Sequence, residues 1–330
     1  VTGDISSIAE AVLAGNRRAL GQAITLVEST RPADQPRADE LLRMITPHAG
    51  NATRLGISGV PGVGKSTFIE RFGQHVTGQG HKVAVLAVDP SSAVSGGSIL
   101  GDKTRMEQLA RNPDAFIRPS PAGRTLGGVT RHTRETMLLV EAAGFDVVIV
   151  ETVGVGQSET AVAEMTDMFL LLLLPGGGDE LQGIKRGIVE LADLVIVNKA
   201  DGELAAVARR SAADYAAALR FLRARTGGWE VPVLTCSALH GEGIAGVWET
   251  VERYRATMDE AGELTARRAR NARSWLWSET AETLIALLRE DADLKHRLAE
   301  LEQAVAAGNL APRVAARELV EKLWQGKHAS

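Results

Sequence analysis

Gly59-Val60-Pro61-Gly62-Val63-Gly64-Lys65-Ser66-Thr67 follows the spacing G-x-x-x-x-G-K-[ST]. The residue types explain one another. Glycines let the backbone wrap closely round a phosphate, so successive N–H groups point inward. A helix beginning at the lysine adds its positive end. In such a loop Lys65 bridges the β- and γ-phosphates and Ser66 holds Mg²⁺. A chance glycine-rich turn with a lysine is the competing reading. The apolar run before the loop and the helical pattern after it argue against that.

A metal bound to phosphates also calls for carboxylates. Asp89 follows the apolar run ending at Val88, and Glu151 follows Val147–Val150. Both fall at the carboxyl ends of expected strands, where open α/β sheets bind ligands. Either can instead be a simple cap. Glu151 is the stronger candidate, because Thr152-Val153-Gly154-Val155-Gly156-Gln157 continues it. A glycine-rich stretch there can approach a γ-phosphate and move when it leaves. Asp102, in Gly101-Asp102-Lys103-Thr104-Arg105, is a third candidate, with an ordinary surface loop as the alternative.

Asn198-Lys199-Ala200-Asp201 ends the apolar run Val195–Val197. An aspartate so placed can accept from guanine N1–H and the 2-amino group. Adenine offers neither donor, and an unpaired carboxylate in a closed site is costly. The Lys199 stem would cover the base, and Asn198 would tie neighbouring loops together. After the next strand, Thr235-Cys236-Ser237-Ala238 offers a backbone N–H, assigned to Ala238, for guanine O6. Cys236 reads as a small buried filler rather than a nucleophile.

These residues need a scaffold. Leu55–Ser58, Lys82–Val88, Val147–Val150, Met168–Leu174, Leu194–Val197 and Val231–Leu234 are short, nearly continuous apolar runs. They suit strands buried on both faces, alternating with helices around a parallel sheet. Ahead of them, Ile5–Leu13, Ala19–Val27 and Asp39–Ile45 have helical spacing. Beyond about Glu252 the chain reads as helical again. Leu284, Leu287, Leu294, Leu298, Leu301 and Val305 form a narrow apolar stripe, broken by Asp291, with Gly308-Asn309 as its cap and Pro312 opening a last helix.

Composition narrows the class. The 330 residues carry 37 Lys+Arg against 41 Asp+Glu, a formal charge of −4, which offers no basic face for nucleic acid. No apolar run approaches the roughly 20 residues of a membrane span. The only cysteine is Cys236, so no internal disulfide can form. A reducing, cytoplasmic location is the expectation.

In combination and in this order, the motifs between about Gly59 and Leu239 resemble the GTPases associated with methylmalonyl-CoA mutase. This is the MeaB/ArgK-like family, which includes the human methylmalonic aciduria type A protein. The resemblance implies a P-loop GTPase of the signal-recognition-particle-like class, with a mainly parallel sheet flanked by helices. It implies an N-terminal helical extension over 1–52, a GTPase domain over 53–251 and a C-terminal helical dimerisation region over 252–330. It assigns Gly59–Thr67, Asn198, Lys199, Asp201, Ser237, Ala238 and Leu239 to the nucleotide. Ser66, Asp89, Asp102 and Glu151 go to Mg²⁺, and Lys65, Gln157 and Glu151 to hydrolysis. Asp89–Met106 and Val153–Glu159 correspond to the two switches. Pro175–Arg186, with Gly178, Asp179, Glu180, Gln182 and Lys185, corresponds to a further loop that addresses the mutase. The implied role is a homodimeric chaperone that uses GTP to gate loading of adenosylcobalamin and to protect or reactivate the mutase. No D-x-H-x-x-G cobalamin pattern occurs in this chain.

Small signalling GTPases place a glutamine directly after the switch glycine. Here Val155 stands there, and the glutamine is Gln157. An apolar side chain cannot orient water, so slow unassisted hydrolysis is expected. Three other readings compete: a kinase of the arginine/ornithine transport type, a metallochaperone, and a chaperone of another cobalamin-dependent mutase. The first lacks a dedicated acceptor base. The second is disfavoured by one cysteine and seven scattered histidines.

Overall fold

The computed structural model describes residues 4–88, 106–119, 126–152, 158–176, 186–220, 228–290 and 292–328. The chain divides into two compact units, Val1–Arg268 and Ala269–Ser330.

The first unit is built on seven strands: β1 (Thr53–Gly59), β2 (Val83–Val88), β3 (Ala115–Arg118), β4 (Val147–Thr152), β5 (Met168–Leu173), β6 (Leu194–Val197) and β7 (Val233–Thr235). Their order is β3-β2-β4-β1-β5-β6-β7, and every pairing is parallel. β1, β2, β4, β5 and β6 are buried along their whole length, as continuous runs such as Val83-Ala84-Val85-Leu86-Ala87-Val88 require when helices cover both faces. The edge strand β3 escapes a search for such runs, because its alternate residues are only half-buried.

Three N-terminal helices, α1 (Ile5–Leu13), α2 (Arg17–Val27) and α3 (Gln35–Ile45), pack on one another. The Asn16 side chain caps α2, accepting from the N–H groups of Arg18 (3.0 Å) and Ala19 (3.1 Å). Among the described residues, the remaining helices of this unit are α4 (Lys65–Gly78), α5 (Glu107–Arg111), α6 (Leu126–Ala142), α7 (Ser158–Met165), α8 (Arg186–Val189), α9 (Ala205–Leu219) and α10 (Ile244–Glu260). α6 receives α2 and α3, so the N-terminal helices are bolted to the sheet's own cover. α10 buries Val247, Trp248, Val251, Tyr254 and Met258.

At the amino ends of the strands lies a seam of buried ion pairs. The Arg54 guanidinium, on β1, lies against Glu141 of α6, with both residues over nine-tenths buried. Asp167, just before β5, accepts from the Arg54 N–H at 2.9 Å and from the Arg268 guanidinium at 2.6 Å. Asp193, just before β6, accepts from the Phe169 N–H at 2.9 Å and from Arg267 at 3.2 Å. Burial pulls the Arg267 guanidinium down, and the Asp193 charge beside it more than restores it. Asp167 and Asp193 thus each satisfy a strand-start N–H while their own charge is answered, the condition under which buried charge is tolerable.

The second unit begins within α11 (Glu263–Glu290) and continues through α12 (Ala292–Ala306) and α13 (Pro312–His328). Leu294 and Leu301 are buried, whereas Leu284 and Leu287 are exposed. The anticipated stripe therefore spans two helices, exposed on α11 and buried on α12. Gly308 stands at φ +74 after α12, where the Gly308-Asn309 cap was expected. No helix among the described residues is long and apolar enough to cross a membrane.

The seam makes a definite prediction. Asp167→Ala leaves the Arg54 N–H without its acceptor and the Arg268 guanidinium without its counter-charge, with only the Gly50 and Ala52 carbonyls to receive it. It is expected to lower the unfolding free energy by about 3–5 kcal/mol in urea titration, the scale for breaking a buried pair from one side. A loss below about 1 kcal/mol would show that water replaces the carboxylate.

Candidate functional site

The opposite, carboxyl edge of the sheet carries the motifs. β1 ends at Gly59, where the phosphate loop begins. A Cβ on Gly59 would stand 2.5 Å from the Leu172 carbonyl oxygen of β5, so glycine is required by close approach. Gly62 and Gly64 take φ +79 and +92, and Gly64 passes directly into α4 at Lys65. The turn, the left-handed residues and the helix start are thus those that a phosphate-binding loop needs.

Lys65 Nζ donates to the Gly59 carbonyl at 2.8 Å, so its ammonium closes across the loop that it serves. Burial pulls Lys65 below the usual lysine range, and the charges of Glu151 and Glu159 push it back up. Glu151 sits near the end of β4 and is 3% exposed. Beside it, Thr152 Oγ1 donates to Ser58 Oγ at 2.9 Å, coupling the ends of β4 and β1. Glu159, in the first turn of α7, is fully buried and adds a second acidic charge to the Lys65 environment. Sequence reading placed Glu159 only as the last residue of the second switch and gave it no part in the charge around Lys65. Its signal was an acidic residue in the first turn after a glycine-rich stretch.

The loops that follow β6 and β7 are joined to the phosphate loop by one side chain. Asn198 Nδ2 donates to the Val63 carbonyl of the phosphate loop at 2.8 Å. Asn198 Oδ1 accepts from the Ala238 N–H at 3.0 Å and from Cys236 Sγ at 3.3 Å. Cys236 is therefore more than a filler. Burial, and then the Asp201 charge, push its thiol up to about 12, so it remains a donor at any ordinary pH. The Ala238 N–H, assigned from sequence to guanine O6, is held by Asn198 in this structure.

Lys199 takes φ +59, the only positive value among the described non-glycine residues. That backbone state is uncommon outside glycine and is held here by its neighbours, since Ala200 N–H donates to the Cys236 carbonyl at 3.0 Å. Asp201 is partly exposed, with His240 Nε2 3.8 Å from its carboxylate. Leu239 is 62% exposed, and the Arg71 guanidinium of α4 donates to its carbonyl at 3.3 Å. Ser237 is fully buried, and its hydroxyl accepts from the His240 N–H at 3.2 Å.

The structure thus brings Gly59–Thr67, Glu151, Asn198–Asp201 and Ser237–Leu239 to one edge of the sheet. Asp89, Asp102, Gln157, Gly178, Asp179, Glu180, Gln182 and Lys185 lie outside the described residues. Among the described residues, no group of three or more His, Cys, Asp or Glu side chains is placed to hold a metal ion.

Comparison with known proteins decides the family. A family profile described as "Methylmalonyl Co-A mutase-associated GTPase MeaB" matches residues 20–293. The chain belongs to the MeaB family. It is 54% identical to "Probable GTPase Rv1496" of Mycobacterium tuberculosis, across 96% of this chain and 94% of that one. It is 48% identical to "Methylmalonic aciduria type A homolog, mitochondrial" of Mus musculus, across 95% of this chain and 78% of that protein. A solved structure titled "Crystal structure of LAO/AO transport system kinase" superposes with a TM-score of 0.76 at 40% identity, covering 97% of each chain. As a MeaB-family protein, the chain is a GTPase that binds guanine nucleotide on a P-loop fold.

Removing the Asn198 amide strands the Val63 carbonyl and the Ala238 N–H. Each buried group so orphaned costs about 1–3 kcal/mol. Asn198→Ala is therefore expected to weaken GDP binding by at least about tenfold by calorimetry, with the phosphate loop sequence intact. Unchanged affinity would show that the loops are held together without this side chain.

Proposed function

We propose that this protein is a Mg²⁺-dependent GTPase that acts as a nucleotide-controlled chaperone of an adenosylcobalamin-dependent methylmalonyl-CoA mutase. The observation that carries the reading is the family match through residues 20–293, joined to a guanine-reading loop tied to the phosphate loop through Asn198.

Hydrolysis joins a water oxygen to the γ-phosphorus and breaks its bond to the β–γ bridging oxygen. The leaving oxygen stays with GDP, and the water's protons are shared between phosphate and solvent. The loop N–H groups of Gly59–Thr67 hold the phosphates. Lys65, released from the Gly59 carbonyl, spans the β- and γ-groups. Gln157 is assigned to the water, as the resemblance implies. The donors available for a metal are carboxylate and hydroxyl oxygens, the hard set that Mg²⁺ prefers. The buried Glu151 carboxylate fits that set. Ser66, Asp89, Asp102 and Glu151 would hold the ion, which when bound supplies charge neutralisation across the transferring phosphoryl group.

Control of a partner requires GTP and GDP forms that bind it with different free energies. The segment from Gly178 to Lys185, between β5 and α8, is proposed to carry that difference. A homodimer formed through the C-terminal helices is the proposed assembly, and exposed Leu276, Trp277 and Ile285 of α11 supply apolar surface for it. Cytoplasmic residence remains part of this proposal.

The test is GTP turnover by the purified chain, alone and with a stoichiometric adenosylcobalamin-dependent methylmalonyl-CoA mutase, with ATP as control. Expected is a basal rate well below about 1 per second, selective for GTP and raised by the mutase. GTP turnover indifferent to that mutase would move the assignment to another client. Phosphate passing from ATP to a small acceptor would overturn it in favour of the kinase that the structural neighbour's title names.

A further inference from the structure

At the amino ends of the strands, on the edge away from the phosphate loop, one face of α10 lines a cavity of about 330 Å³. That volume lies at the lower end of those that small ligands occupy. Trp248, Val251, Arg255 and Asp259 of α10 line it at helical spacing, and Thr53 and Val147 supply the first residues of β1 and β4. Its inner wall is apolar, since Val147, Val251 and Trp248 are all buried. The Trp248 ring is fixed edge-on by Phe72 of α4 and by His81, with centroids 6.0 and 5.1 Å away. That wall is therefore set by packed rings and strand starts.

The charges round that wall are unequal. Asp146, Glu252 and Asp259 line the cavity, against the single guanidinium of Arg255. His81 adds at most one positive charge, so an acidic excess remains in either state of its ring. Arg255 is also committed. Its Nη1 donates to Thr53 Oγ1 at 2.5 Å and its Nη2 to the Asn51 carbonyl at 3.0 Å, while its Nε lies 3.8 Å from Asp259. His81 Nδ1 lies 2.9 Å from Asp146 Oδ2, and Asp146 Oδ1 accepts from the Lys82 N–H at 2.8 Å. Glu252 is exposed and is answered by no ion pair among the described residues. An anion here would meet three carboxylates and no uncommitted guanidinium. A divalent metal would lack its ligands, since among the described residues no three acids or histidines stand close enough to share one ion.

We propose that this cavity binds an alkylammonium group, a primary amine on an apolar stem of about four or five carbons. The stem lies along Trp248, Val147 and Val251, where apolar contact is gained. The ammonium stands among Glu252, Asp259 and Asp146, and the Trp248 ring adds attraction for a nearby cation. A neutral apolar ligand leaves the acidic excess unanswered, and a compact inorganic cation leaves the inner wall uncovered. Free diamines and the lysine side chains of proteins share this chemistry. The inference stands apart from the nucleotide site, because no lining residue belongs to the phosphate loop or to the loops after β6 and β7.

The test is a ligand-observed NMR titration of the full-length chain. The probes are pentane-1,5-diamine and Nα-acetyl-lysine methylamide, with pentan-1-ol and pentanoate as neutral and anionic controls. At least one amine is expected to bind with a Kd of about 1 mM or tighter, and both controls at least about tenfold more weakly. Glu252→Gln combined with Asp259→Asn removes two charges from exposed positions and should weaken the amine about tenfold. Ala256→Phe fills the cavity from α10, keeps every charge and should abolish binding. GDP affinity, unchanged within about twofold, shows that each variant is folded; the charge variant stands in if Ala256→Phe does not fold. Binding of the diamine alone assigns the cavity to a free amine, and binding of the lysine derivative extends it to a protein's lysine; either upholds the proposal. No binding of either amine up to about 20 mM overturns it. So does a control that binds as tightly as the amines, or amine binding that survives in the folded variants.

Discussion

One buried side-chain amide holds the nucleotide edge together. Asn198 hydrogen-bonds to the phosphate loop at Val63, to the base loop at Ala238 and to the Cys236 thiol, from its own place at the end of β6. The phosphate loop leaves β1, the Cys236–Ala238 loop leaves β7, and Asn198 itself stands at the end of β6. Without a shared partner they would be separate loops, each free to relax alone. The amide serves because it offers a donor and an acceptor at once, and because burial makes every one of its bonds costly to leave unmade. Gly64 fits the same arrangement, since a Cβ there would lie 3.0 Å from Asn198 Nδ2.

The two edges of the sheet divide the labour. The amino edge is locked by charge: Arg54 with Glu141, Asp167 with Arg268, Asp193 with Arg267. Asp167 and Asp193 also receive strand-start N–H groups, so the lock orders β1 and β5 as well as the helices. The carboxyl edge is held by neutral hydrogen bonds round Asn198, and Lys65, Glu151 and Asp201 are charged groups of that same edge. A GTPase needs its scaffold fixed and its phosphate contacts exchangeable, and this distribution of bonds supplies both.

The chemistry was the most legible part of the sequence. A phosphate loop is written in glycines and a lysine because backbone geometry admits few substitutes, and N-K-x-D is written by the donors of guanine. The five fully buried strands were legible as continuous apolar runs, whereas β3 was not, because a half-covered edge strand writes a weaker pattern. Long-range partners left no local trace. Nothing around Glu70 announces that its carboxylate accepts from the Gln108 and Leu109 N–H groups at the start of α5. Nothing at Asp167 or Asp193 distinguishes an acid that grips an arginine 101 or 74 residues away from a solvated one. Cys236 gave its burial but not its bond, since a thiol's donor role depends on what folds beside it.

The central claim is that Asp201 reads guanine from a loop held by Asn198, and one substitution tests it directly. An asparagine at 201 still accepts from N1–H but offers its NH₂ toward position 2 of the base, where guanine has a donor and xanthine an acceptor. The measurement is kcat/KM of wild type and Asp201→Asn for GTP and xanthosine triphosphate. The account predicts a fall of about a hundredfold or more for GTP, with a gain for xanthosine triphosphate that reverses the preference. An Asp201→Asn protein that still prefers GTP would contradict it.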